Sequence, residues 1–117
     1  MKLIFATESF RNECNNQEQL IKRFGASRAR SIRQRLDELF NADVLEDMKS
    51  LPHVAFHSFP DSTGELAVEA GTPYWLTFRP FSSGEAGAPG SWDWKKIDSI
   101  IIVDLIAANE KRSPKPI

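Results

Sequence analysis

The spacing of apolar residues changes near Pro52, dividing the chain into a helical first half and a sheet-forming second half. Leu3-Ile4-Phe5-Ala6 is a short apolar run that reads as a first strand. From Gln17 to Phe24 the residues Leu20, Ile21 and Phe24 recur at helical spacing, and Gly25 suits a left-handed stop. Ser27 is placed to cap a second helix, whose positions Ala29, Ile32, Leu36, Leu39 and Phe40 follow the helical period of about 3.6 residues. A short helix restarts at Asp43 and runs through Met48, and Pro52 ends it. Two helices ahead of a sheet are expected to pack as a hairpin on one sheet face.

Beyond Pro52, Val54 to Phe59 and Glu65 to Glu69 are strand-like, separated by the turn-rich Pro60-Asp61-Ser62-Thr63-Gly64. Gly71-Thr72-Pro73 makes the next turn, and Tyr74 to Arg79 is rich in aromatic and β-favouring residues. Ser82 to Ser91 has no bulky apolar residue, so an exposed, mobile loop is expected there. Ser99 to Ile106 is the most apolar strand, which predicts an interior place in the sheet. The expectation is one α+β domain over residues 1–109. It has two N-terminal helices packed on a twisted, mainly antiparallel sheet of four to five strands. The basic, Pro-containing tail over residues 110–117 is expected to be flexible.

Composition narrows the class without naming an activity. A chain of 117 residues, 41% hydrophobic, is long enough to build a core without disulfide staples. The net charge of -1 gives no global field toward nucleic acid, so any such surface must be local. Cys14 is the only cysteine, which excludes an internal disulfide and points to a reducing cytoplasm. The apolar run after Lys2 stops at Ala6, too short for a signal peptide, and no segment approaches a membrane span. Neither a metal site nor a cofactor is expected.

The run Lys22-Arg23-Phe24-Gly25, then Ala29, then Arg33 to Leu39, is followed by Leu51-Pro52, His57, Gly64 and Pro73-Tyr74 through Phe78. In that order these residues resemble the RelE/ParE superfamily, and most of all its HigB-like toxins, also called plasmid maintenance killer proteins. The likeness runs from about Leu20 to Asn109, and Ser91-Trp92-Asp93-Trp94-Lys95-Lys96-Ile97 is similar to the loop of that subgroup. The resemblance implies a RelE-like fold and a ribosome-dependent endoribonuclease of mRNA, needing no metal and held inactive by a helix-turn-helix antitoxin. It also leaves open a non-catalytic relative that binds an antitoxin or the ribosome, and a ParE-like inhibitor of DNA gyrase.

The chain departs from the family at the residues that carry its chemistry. The family's loop cation is missing from Phe59-Pro60-Asp61, Trp75 stands where arginine is common, and Ala107, Ala108 and Asn109 replace Asp-Tyr-His. Cleavage of RNA by its own 2′-hydroxyl needs a base, an acid and cations around the phosphorane. Positioned proton transfer is worth roughly 10²–10⁴-fold, and one charge-stabilising donor roughly 10²–10³-fold. Alanine does neither job, and Asn109 donates a hydrogen bond without titrating. His57 is the replacement acid or base and Arg79 the replacement phosphate clamp, with Asn109 the remaining polar group. The bland readings are a structural strand histidine and a solvated strand end. His53 reads as a loop residue, and Asp104 either faces solvent or lies buried beside Arg79.

A basic run offers an RNA-binding surface. Lys22, Arg23, Arg28, Arg30, Arg33 and Arg35 precede the first acids of the second helix, Asp37 and Glu38. Arg28 and Arg35 flank one side of its apolar stripe and Arg30 and Arg33 the other, which is equally the pattern of side chains snorkelling over a core. Trp75 could stack on an unpaired base or belong to the core. Trp92 and Trp94, two apart, share a face and could anchor the loop before them.

Overall fold

Lys2–Phe5 forms strand β1, and the chain turns at once into helix. The Thr7 hydroxyl accepts the Phe10 N–H at 3.1 Å to cap α1 (Glu8–Cys14), and Asn16 accepts the Gln19 N–H at 3.2 Å to cap α2 (Gln17–Phe24). Each cap of this kind is worth about 1 kcal/mol. Gly25, at φ +89°, links α2 directly to α3 (Ala26–Asn41), so Gly25 rather than Ser27 holds the N-cap position. A 3-10 turn, Leu45–Ser50, follows, and its Asp47 carboxylate accepts the N–H groups of Asp43 and Val44 just before it. The remaining elements are β2 (His57–Phe59), β3 (Ser62–Glu69), β4 (Tyr74–Pro80), a second 3-10 turn (Trp94–Lys96), β5 (Ser99–Ala107) and β6 (Lys115–Pro116). This computed structural model describes residues 1–59, 62–81, 92–108 and 113–117.

The expected fold needs correcting in both layers. The sheet has six strands in the order β1-β5-β4-β3-β2-β6, and it is mixed, because β1 runs parallel to β5. Three α-helices carry the chain back across the sheet before β2, and β1 joins a strand distant in sequence rather than its neighbour. The additional helix, α1, spans only seven residues and buries only Phe10 and Cys14, too few for a period to show. The sixth strand comes from the tail, where Pro116 pairs with His57 and Lys115 with Ser58. The loop expected over residues 82–91 and the tail residues 110–112 lie outside the described residues.

Sheet alternation divides the molecule into two faces. Leu66, Val68, Leu76, Phe78, Ile100 and Ile102 join Leu20, Phe24, Ile32, Leu36 and Leu39 in one buried cluster with the helices. Phe40, expected on the α3 stripe, is instead 63% exposed. It lies beside the edge strand β1, in a recess shared with Leu3 and Phe5, where no further strand pairs with β1 among the described residues. β5 lies inside the sheet, between β1 and β4, as its apolar run predicts. Among the described residues no helix is long and apolar enough to cross a membrane.

Candidate functional site

The sheet face turned away from the helices collects three of the residues singled out by sequence. In β4 Leu76 and Phe78 join the core with the helices, and strand alternation turns Trp75, Thr77 and Arg79 to the other side, where Thr77 is fully buried, Trp75 half-buried and Arg79 exposed. His57 pairs with Ala67, Ala67 with Thr77, and Thr77 with Asp104, so one row of the ladder crosses four strands. Ala67 is the small member of that row. The room it leaves lets the His57 ring reach diagonally to Trp75, with ring centroids 4.5 Å apart and planes tilted by 55°. Both residues are half-buried, and His57 Nδ1 lies 3.3 Å from the Ala55 carbonyl. His57 makes no ion pair among the described residues.

The end of β5 completes this corner. Trp75 pairs with Ile106 and Tyr74 with Ala107, and the Ala108 N–H donates to the Pro73 carbonyl at 3.2 Å. Ala107 and Ala108 therefore follow directly on Ile106, the strand partner of Trp75. Asn109 lies outside the described residues. Arg79 shares the face but not the corner. It is exposed, pairs with Ile101, and stands four residues beyond Trp75, about 13 Å along the strand. No ion pair holds it among the described residues. Asp104 is exposed, and its carboxylate accepts the Leu105 N–H at 2.8 Å rather than meeting Arg79.

The basic residues of α2 and α3 belong to the helix side of the sheet, and most are structurally engaged. Arg23 pairs with Glu13 at 2.5 Å. Arg28 donates to the Thr72 carbonyl at 3.1 Å, with its guanidinium 5.6 Å from the Tyr74 ring centre. Arg33 bonds the Cys14 carbonyl and stands 3.6 Å from Asp37. Arg35 bonds the Glu69 carbonyl and the Glu38 carboxylate. Lys22 and Arg30 are exposed and unpaired among the described residues, and Arg30 borders a recess of about 660 Å³ between α3 and the first 3-10 turn. The structure therefore does not gather these cations around His57 and Trp75.

Other candidates have structural partners. His53 contacts the second oxygen of the Glu38 carboxylate. Trp92 and Trp94 are buried in the core cluster and fasten the segment before β5 to the body. Cys14 is fully buried, and its thiol is pushed up from 9.0 to about 12, mainly by burial and then by Glu13. Sequence reading did not pick out Lys49, which lies 4.1 Å from the centre of the Trp94 ring, or Phe56, which packs on that ring. The alternating run Val54 to Phe56 was the available signal for the second. No cluster of three or more His, Cys, Asp or Glu suited to a metal ion occurs among the described residues.

In comparison with known proteins, the chain matches no family model, no curated protein and no solved structure.

Proposed function

We propose that this protein is a toxin-like member of a type II toxin–antitoxin pair, akin to the HigB-like toxins. Its outer sheet face meets RNA, and its cleavage activity is weak or absent. The observation that carries the reading is the His57–Trp75 contact at the end of β5, beside Ala107 and Ala108. A half-buried aromatic ring next to an imidazole offers a stacking platform, worth roughly 1–3 kcal/mol per base. It also offers one group able to move a proton.

The same geometry argues against efficient chemistry. In-line cleavage needs an acid and a base on opposite sides of the phosphate, with a cation beside it. His57 supplies one of these, Arg79 stands too far along β4 to close on the same phosphate, and the alanines supply none. The binding relative, with antitoxin or ribosome contacts but no nuclease step, is the second reading, and the Ala107-Ala108 pair favours it. In either form the partners are a helix-turn-helix antitoxin and the ribosome with its mRNA, in the cytoplasm.

The test is tight induction of this chain in bacterial cells, with new mRNA 5′ ends mapped on ribosome-bound transcripts. Codon-phased ends that disappear in His57→Ala support a slow nuclease. Ends that appear only after Ala107→Asp, Ala108→Tyr and Asn109→His support the binding relative. No ends and no ribosome association in either chain would sink both forms, and DNA damage signalling in their place would point to gyrase.

A further inference from the structure

A second aromatic surface lies on the helix side of the sheet, around the second 3-10 turn. Phe56 meets the Trp94 ring edge-on at 4.9 Å and packs on Phe78 of the core face at 6.2 Å, while Trp92 lies tilted against Trp94 at 6.3 Å. These rings, with Lys49, Pro116 and Ile117, line a recess of about 440 Å³. That volume suits a single planar group rather than a folded partner. The Trp92 indole Nε1 is buried and has no acceptor among the described residues.

Lys49 lines the recess, and three more lysines neighbour its lining residues along the chain. Lys49 stands 4.1 Å above the Trp94 ring centre and 3.2 Å from Glu46. Lys95 and Lys96 follow Trp94 on its own turn, and Lys115 precedes Pro116 in β6, all three exposed. Lys96 has Asp93 at 3.9 Å, whereas Lys95 and Lys115 make no ion pair among the described residues. With Glu46 offsetting Lys49 and Asp93 offsetting Lys96, Lys95 and Lys115 remain as exposed cations next in sequence to the lining residues Trp94 and Pro116. An acidic peptide would use the lysines and leave the rings idle, and a neutral apolar ligand would do the reverse. A strand of bases joined by phosphates uses both.

We propose that this recess is a subsite for single-stranded polynucleotide, with one base packed along the Phe56–Trp94 wall and flanking phosphates held by Lys49, Lys95 and Lys115. It stands apart from the His57–Trp75 corner and rests on its own observations. Because the lysines contact phosphates and not base edges, binding is tolerant of sequence and sensitive to salt.

The test uses the full chain and a labelled octauridylate, read by anisotropy and by tryptophan emission, with an octaglutamate peptide as the competing acidic probe. The expected result is binding with quenched tryptophan emission that persists in Trp75→Phe. Binding should weaken roughly tenfold in the double variant Lys95→Glu, Lys115→Glu, with a shallower salt dependence. Both lysines are exposed, so an unchanged far-ultraviolet spectrum shows that the variant is folded. The proposal is overturned by absence of binding, by octaglutamate competing as well as RNA, or by binding lost in Trp75→Phe and kept in the lysine variant. That last result would move RNA to the outer face and leave the toxin-like reading standing, whereas the expected result holds whether or not the chain cleaves mRNA.

Discussion

Arg35 Nε donates to the Glu69 carbonyl at 3.0 Å, fastening the middle of α3 to the last residue of β3. The same guanidinium meets the Glu38 carboxylate, and both side chains are mostly buried, at 14% and 16% exposure. Arg35→Ala removes both bonds and leaves Glu38 with His53 alone, so a loss of about 1–3 kcal/mol is expected. Arg35→Lys should recover only part of it, because an ammonium lacks the fork that serves two acceptors at once. Urea unfolding midpoints of the three proteins measure this. An unchanged midpoint in Arg35→Ala would show that the helix–sheet joint rests on apolar packing alone.

Gly71 lies within the β3–β4 turn with φ +88°, and a Cβ built there would stand 3.2 Å from Arg28 Cγ and 3.3 Å from the α3 backbone at Arg28. Gly71→Ala therefore meets both a left-handed backbone and the crowding of Arg28 on α3, at a cost of about 1–3 kcal/mol. Gly64, at φ +83°, has open space where the Cβ would go. Gly64→Ala should be the milder change, and the difference between the two midpoints reads the crowding by itself. Equal effects would mean that α3 shifts freely.

These joints show which parts of the architecture a linear pattern discloses. α3 repeats Ala29, Ile32, Leu36 and Leu39 over several turns and β5 carries a run of isoleucines, so periodicity finds both. α1 is too short for a period, although Thr7 three residues before Phe10 is a capping signal that could have marked it. Nothing within Lys2–Phe5 tells that it will lie parallel to β5, since that choice is made by the crossover through three helices. His57 and Trp75 each stand out in the sequence, but their contact depends on a register that places Ala67 between them. The arginines of α3 look like a free basic face because their partners, the carbonyls of Cys14, Glu69 and Thr72, are backbone groups carrying no sequence mark.

Arg33 and Arg79 should separate structural from surface cations. Arg33 is bonded to the Cys14 carbonyl, and Arg33→Ala should cost about 1–3 kcal/mol by leaving that carbonyl without its donor. Arg79 is exposed and unpaired among the described residues, and Arg79→Ala should move the unfolding midpoint by no more than about 0.5 kcal/mol. If the outer sheet face meets RNA, Arg79→Ala weakens that contact with stability intact. A large stability loss from Arg79→Ala would contradict its placement as a surface residue.

Cys14 gives the fold a pH dependence of known sign. Its thiol lies at about 12 in the native protein against an ordinary 9.0, first because it is buried and then because Glu13 and Asp104 oppose a thiolate, with Arg33 and Arg23 pulling the other way. The native state thus holds this proton more tightly than the unfolded chain does. The contribution is fully present below the ordinary value of 9.0 and is lost progressively as pH rises from there toward about 12. Unfolding midpoints should therefore fall with pH across that window, and Cys14→Ala should flatten the slope while lowering the midpoint at neutral pH. Because other groups also titrate there, the slope difference between the two proteins is the readout. A disulfide-exchange reagent adds a direct check: at about pH 8 the native thiol should stay unmodified, and urea should make it react. Rapid modification of the folded protein, or identical slopes with and without the thiol, would show that Cys14 is not sealed in the core cluster.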